Sequence, residues 1–132
     1  MAHNFGTAVL VVAALFGLLT TWSAGAAPEV FAGRLGLKVM NAGGSNEIRA
    51  QYAAVFLAIA VVCLASLAGV LLRQAAFVVL STVFGGLIVG RVFSLVANGG
   101  TAGYGPTILA LYFIDATGLA VSVAAYFLDG TM

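Results

Sequence analysis

The chain has 132 residues, 63% of them hydrophobic and only 7% charged, with a net charge of +1. A soluble domain carries about 25% charged residues, so the composition excludes an ordinary water-soluble domain, and the near-zero charge without a basic, aromatic-interleaved cluster excludes a nucleic-acid partner. A single cysteine and a single, N-terminal histidine argue against any zinc, iron–sulfur or histidine-ligated haem site within the membrane; no metal or cofactor is expected.

The few charges divide the chain into uncharged stretches at 4–28, 50–72, 74–90, 92–114 and 116–128. A helix needs about 20 apolar residues to cross the hydrocarbon core. The first two stretches suffice alone, and the last three form two helices that each enclose one charge, Arg91 or Asp115. The expectation is an all-α fold, a four-transmembrane-helix bundle with helices near 5–24, 50–72, 75–97 and 107–128. Residues 1–132 then form a single integral membrane domain whose first partner is the lipid bilayer.

In chain order, residues 1–27 share the small-residue ending of a secretory signal, Ala24-Gly25-Ala26, but the run is long and its start lacks Lys and Arg. It reads as helix 1, with Trp22 at the headgroup level. Residues 25–49 form the long loop. Pro28 suits the first position of a short helix with Glu29 in its first turn, and Arg34 and Lys38 could reach headgroups from a short interfacial helix between helices 1 and 2. An ordinary solvated loop fits those residues equally well. Asn46 is a candidate cap for helix 2, which holds Cys63 as a small packing residue. Arg73-Gln74 makes a short turn that requires helices 2 and 3 to be antiparallel neighbours. Gly85, Gly86 and Gly90 lie on helix 3, and the G-x-x-x-G spacing of Gly86 and Gly90 marks the leading helix-packing face. Ala13/Gly17, Ala65/Gly69 and Gly118/Ser122 share that spacing. A glycine-rich connection, 98–105, leads to Pro106 and helix 4.

Alternating the helices across the bilayer puts both long connections on one side and both termini with Arg73 on the other. Arg91 then lies about 9 Å and Asp115 about 12 Å below the loop-side helix ends at 1.5 Å per residue. Equal depth on helices joined by a short connection predicts an Arg91–Asp115 ion pair, assisted by Tyr112, Ser94 or Asn98, with Ser122 flanking the Asp115 face. Glu47, Arg49 and Tyr52 enter at the same end from helix 2. This polar intramembrane cluster reads either as a staple fixing helix register or as a functional site. The balance of Arg34, Lys38 and Arg49 against Arg73 favours a cytoplasmic loop side.

The run Asn46-Glu47-Ile48-Arg49-Ala50-Gln51-Tyr52 resembles the N-x-R-(A/G)-x-Y opening of helix 2 in a widespread bacterial family of small four-helix integral membrane proteins of unknown function. Gly85-Gly86-Leu87-Ile88-Val89-Gly90-Arg91 resembles that family's motif in helix 3. Asp115 stands where the family usually has a glutamate, and Ala53-Ala54 replace its usual glycines. The resemblance implies a four-helix fold, the bacterial inner (cytoplasmic) membrane, and importance for Arg49, Arg91 and Asp115. It implies no activity.

No nucleophile, base and metal group occurs together, so the chain reads as non-enzymatic. The first functional expectation is an accessory or stabilising subunit that packs against other membrane protein subunits in a larger assembly. The alternative is a transporter or binder of a lipid-like or anionic solute, with Arg49 and Arg91 as anion contacts and Asp115 or Glu47 as a proton site.

Overall fold

The computed structural model describes residues 2–129. Its five helices are α1 (Ala2–Ala26), α2 (Pro28–Arg34), α3 (Ala42–Leu67), α4 (Arg73–Ala97) and α5 (Pro106–Asp129). No strand occurs among the described residues. All but α2 are long and apolar enough to cross a membrane. The fold is an all-α four-helix bundle, and the chain is an integral membrane protein.

Two helix pairs make up the bundle. α1 packs along α3, α4 packs along α5, and α1 also contacts α5. α3 and α4, although joined by a short turn, are weaker neighbours than either pair. Helices 2 and 3 are neighbours, as the short turn requires, but that turn joins the two pairs rather than forming a third. The core lies where all four spans meet, with Leu10, Cys63, Phe77, Leu80 and Ala125 nearly or fully buried. Outward faces are equally apolar, as at Val12, Leu19, Val89 and Phe113, because the surrounding solvent is hydrocarbon.

Close approach depends on Gly17 and Gly118 rather than on Gly86 and Gly90. A Cβ on Gly17 of α1 would lie 2.8 Å from the Phe56 carbonyl oxygen and 3.1 Å from the Ala60 Cβ of α3. A Cβ on Gly118 of α5 would lie 2.6 Å from the Phe84 ring of α4. By contrast, a Cβ on Gly86 or Gly90 would meet nothing within 4 Å, and one on Gly85 would meet only Leu119 at 3.8 Å. Of the three glycines expected to form a packing face on helix 3, Gly85 faces Leu119 of α5 while Gly86 and Gly90 form an open, outward strip; the Ala13/Gly17 and Gly118/Ser122 spacings carry internal contacts.

Helix ends follow local chemistry. α3 begins at Ala42, eight positions before the expected start. Its cap is Asn41 rather than Asn46, and the Asn41 side chain accepts a hydrogen bond from the Gly44 amide at 3.0 Å. Gly43 and Gly44 had the signature of a turn, yet glycine in a first turn is tolerated when a cap satisfies the amides. α3 ends at Leu67, before the expected Leu72. There the Gly69 amide donates to Ser66 O and the Val70 amide to Ala65 O, a Schellman closure with Gly69 at φ +76°. The same closure at Gly99 ends α4.

The loop side carries a cap. α2 starts with Pro28 in its first turn. It docks through Ala32 and Phe31 against Ala24, Ile48, Ala53 and Tyr52. The Ser45 hydroxyl ties α3 to α2 by donating to Glu29 at 2.8 Å. This bond, first among the causes, holds the Glu29 carboxyl below its ordinary value of 4.5.

Candidate functional site

Two Arg–Asp ion pairs join α4 to α5, one near each end. At the terminus side, Arg73 Nε donates to Asp129, while Arg73 Nη2 donates to the His3 carbonyl at 3.1 Å and to Asp129 Oδ1 at 3.4 Å. Gly6 of α1 makes room, since a Cβ there would lie 2.7 Å from Asp129 Oδ1 and 2.8 Å from Arg73 Nη2. α1, α4 and α5 are therefore locked at that end. Asp129 lies one residue past the span expected for helix 4, and its pairing with Arg73 is not among the expected contacts. The signal was present: Arg73 and Arg91 lie about five helical turns apart, on one face of α4.

At the loop side, Arg91 Nε donates to Asp115. The Asp115 side chain is 4% exposed and that of Arg91 18%. The Arg91 guanidinium sits 5.3 Å from the Tyr112 ring centroid, a cation–π contact, and the Tyr112 hydroxyl donates to the Arg91 carbonyl at 3.0 Å. Arg91 thus differs from Arg73. Its only side-chain hydrogen bond among the described residues uses Nε, and neither terminal nitrogen belongs to the buried, unpartnered atoms. Both Nη atoms are therefore accessible, and Arg91 lines a cavity.

That cavity has a volume of about 820 Å³. Arg34 and Leu35 of α2, Tyr52 of α3, Gly90, Arg91 and Ser94 of α4, Tyr104 of the connection and Tyr112 of α5 contribute to its wall. Its wall draws on both helix pairs, on α2 and on the 98–105 connection. Two arginines line it and no carboxylate does among the described residues; Asp115 is buried behind Arg91. Tyr104 shares a 3.1 Å hydrogen bond with Ser94, and Asn98 Nδ2 donates to Tyr104 at 3.1 Å. These contacts, Ser94 before Asn98, hold the Tyr104 phenol below its ordinary value of 10.

The structure divides the expected polar cluster. Arg91, Asp115 and Tyr112 come together, and Tyr52 joins them across the cavity. Ser94 and Asn98 serve Tyr104 rather than the ion pair, and Ser122 donates to Gly118 O at 2.7 Å rather than to Asp115. Arg49 turns away, its Nε donating to the Gly25 carbonyl at 3.1 Å, where it ties α3 to the end of α1. Glu47 is exposed and does not line the cavity. The expectation that Glu47 and Arg49 enter the Arg91 cluster is corrected. The physical cause is a π-helical turn at Arg49–Ala54. A π turn accommodates one extra residue, which rotates side chains across it by about 100°. Tyr52 then packs on Phe31 with ring centroids 5.1 Å apart, and Thr21 of α1 donates to the Ala53 carbonyl at 3.0 Å within the same turn. Arg34 and Tyr104 were not singled out as site residues, because their place at the cavity depends on how α2 and the 98–105 connection fold back.

The fold and this cavity define a small four-helix integral membrane protein with a cationic, tyrosine-lined chamber at one end. No protein-family model, curated protein or solved structure matches the chain.

Proposed function

We propose that the protein binds an anionic solute with an apolar portion in the loop-side cavity, without catalysing a reaction on it. One observation carries this reading: Arg91, whose terminal nitrogens make no side-chain hydrogen bond among the described residues, lines an acid-free cavity together with Arg34. Asp115 fixes the guanidinium through Nε and leaves the paired Nη donors for a ligand. Such a fork suits a carboxylate or phosphate held through two parallel bonds. Intramembrane charges of this kind favour function over packing. Titration of the purified protein, in an uncharged detergent, with dodecyl phosphate should give saturable quenching of tyrosine fluorescence. Dodecanol should give none; equal responses to both would defeat the reading.

A second reading, an accessory subunit in a larger membrane assembly, is favoured by the open strip at Gly86 and Gly90. It is tested by co-purification with a partner of fixed stoichiometry from gentle detergent. The resemblance in Asn46–Tyr52 and Gly85–Arg91 supports the bacterial inner membrane as the location, and the basic residues of α2 and its flanks support a cytoplasmic loop side.

A further inference from the structure

We infer that the occupant of the cavity is an anionic phospholipid that enters sideways from the bilayer, with its phosphate on Arg91 and an acyl chain along the glycine strip of α4. This rests on the anion-binding reading above and adds the ligand's class and path. Gly90 lines the cavity. Gly86 is one turn further from the loop side on the same helix face, toward the bilayer centre. Both glycines are exposed, and no atom lies within 4 Å of where either Cβ would be. The strip therefore continues the cavity as a shallow furrow, with the exposed apolar side chains Val89 and Phe93 beside it on α4.

The order of chemistry along α4 is that of an amphiphile. Arg91 lies roughly 9 Å below the loop-side helix end, a depth that a phosphate can reach from the headgroup layer. Below it the helix surface offers hydrocarbon contact without side-chain bulk. Tyr52, Tyr104 and Tyr112 around the charged end are residues suited to the level where chain meets headgroup. A small soluble anion would use Arg91 and Arg34 but gain nothing from the furrow. A partner helix would use the furrow but have no need of the Arg91 nitrogens that Asp115 leaves unbonded.

The test uses the full chain in an uncharged detergent and native mass spectrometry, with three probes: dipalmitoyl phosphatidic acid, dibutyryl phosphatidic acid and dipalmitoyl phosphatidylcholine. The unaltered protein should bind the long-chain phosphatidic acid at least tenfold more tightly than either other lipid. In the variant Gly86→Leu, whose position lies outside the cavity lining, the chain-length margin should collapse while dibutyryl phosphatidic acid binds as before. The Gly86 Cβ position is unobstructed, so this variant should fold, with the helical circular dichroism of the parent as the check; Gly86→Ala should give an intermediate loss. A margin that survives in Gly86→Leu would overturn the furrow, and equal binding of phosphatidylcholine would overturn the preference for a net anionic headgroup. If both phosphatidic acids bind equally well, the site takes an anion but not a chain. If neither binds, the anion-binding reading itself fails.

Discussion

Gly17→Ala should destabilise the bundle, whereas Gly86→Ala should not. At Gly17 the new methyl would sit 2.8 Å from a backbone oxygen and 3.1 Å from the Ala60 Cβ. Neither obstacle is the end of a flexible side chain, so α1 and α3 must separate by roughly half an ångström to restore ordinary contact distances. Overpacking of this kind costs about 1–3 kcal/mol. Replacing a mid-helix glycine by alanine returns about 1 kcal/mol of helix propensity, which leaves a net loss of up to about 2 kcal/mol. At Gly86 the methyl meets nothing, so only the favourable propensity term of about 1 kcal/mol remains. The two variants should differ by about 1–3 kcal/mol, and at 1.4 kcal/mol per tenfold the folded-to-unfolded ratios should differ at least several-fold. Reversible unfolding in mixed micelles of increasing sodium dodecyl sulfate, followed by far-ultraviolet circular dichroism, measures this directly. If Gly86→Ala proves the more damaging change, the assignment of the internal helix contacts is wrong.

Two further outcomes follow from the ends of the bundle. Asp129→Asn leaves Arg73 with a weaker partner at a site where Asp129 is 6% exposed. It should cost about 2–3 kcal/mol in the same unfolding experiment and leave dodecyl phosphate binding unchanged, because Arg91 is roughly 27 Å further along α4. Docking of α2 should depend on pH. The Glu29 carboxyl titrates below its ordinary value of 4.5 in the folded protein, so its contribution is complete above that value and is lost as pH falls through the lowered one. Hydrogen exchange of the α2 amides, corrected for intrinsic rates, should accelerate as pH falls below about 4.5, and Ser45→Ala should flatten that dependence.

Much of the architecture was legible because the bilayer imposes simple rules. Charge spacing gave four spans, and equal depth gave the Arg91–Asp115 pair, since an isolated charge inside the membrane requires a partner. The same depth argument applied to Arg73 and Asp129 would have found the second pair. Other features depend on context that spacing does not carry. Gly86/Gly90 and Ala13/Gly17 have the same pattern, and only the arrangement of helices decides which face meets a neighbour. The π turn at Arg49–Ala54 has no composition signal, yet it separates Arg49 from Tyr52 and sends only the latter to the cavity. The positions of Arg34 and Tyr104 depend on chain folding back over the bundle.

The central claim is that Arg91 holds an anion with the nitrogens that Asp115 leaves unused. Arg91→Lys tests it most directly. Lysine keeps one positive charge for Asp115, and with it the helix staple, but lacks the paired Nη donors. Dodecyl phosphate titrations of the parent and this variant, at matched thermal stability, should show at least a tenfold weaker affinity in the lysine protein. Unchanged affinity at unchanged stability would contradict the account and leave Arg91–Asp115 as a staple alone.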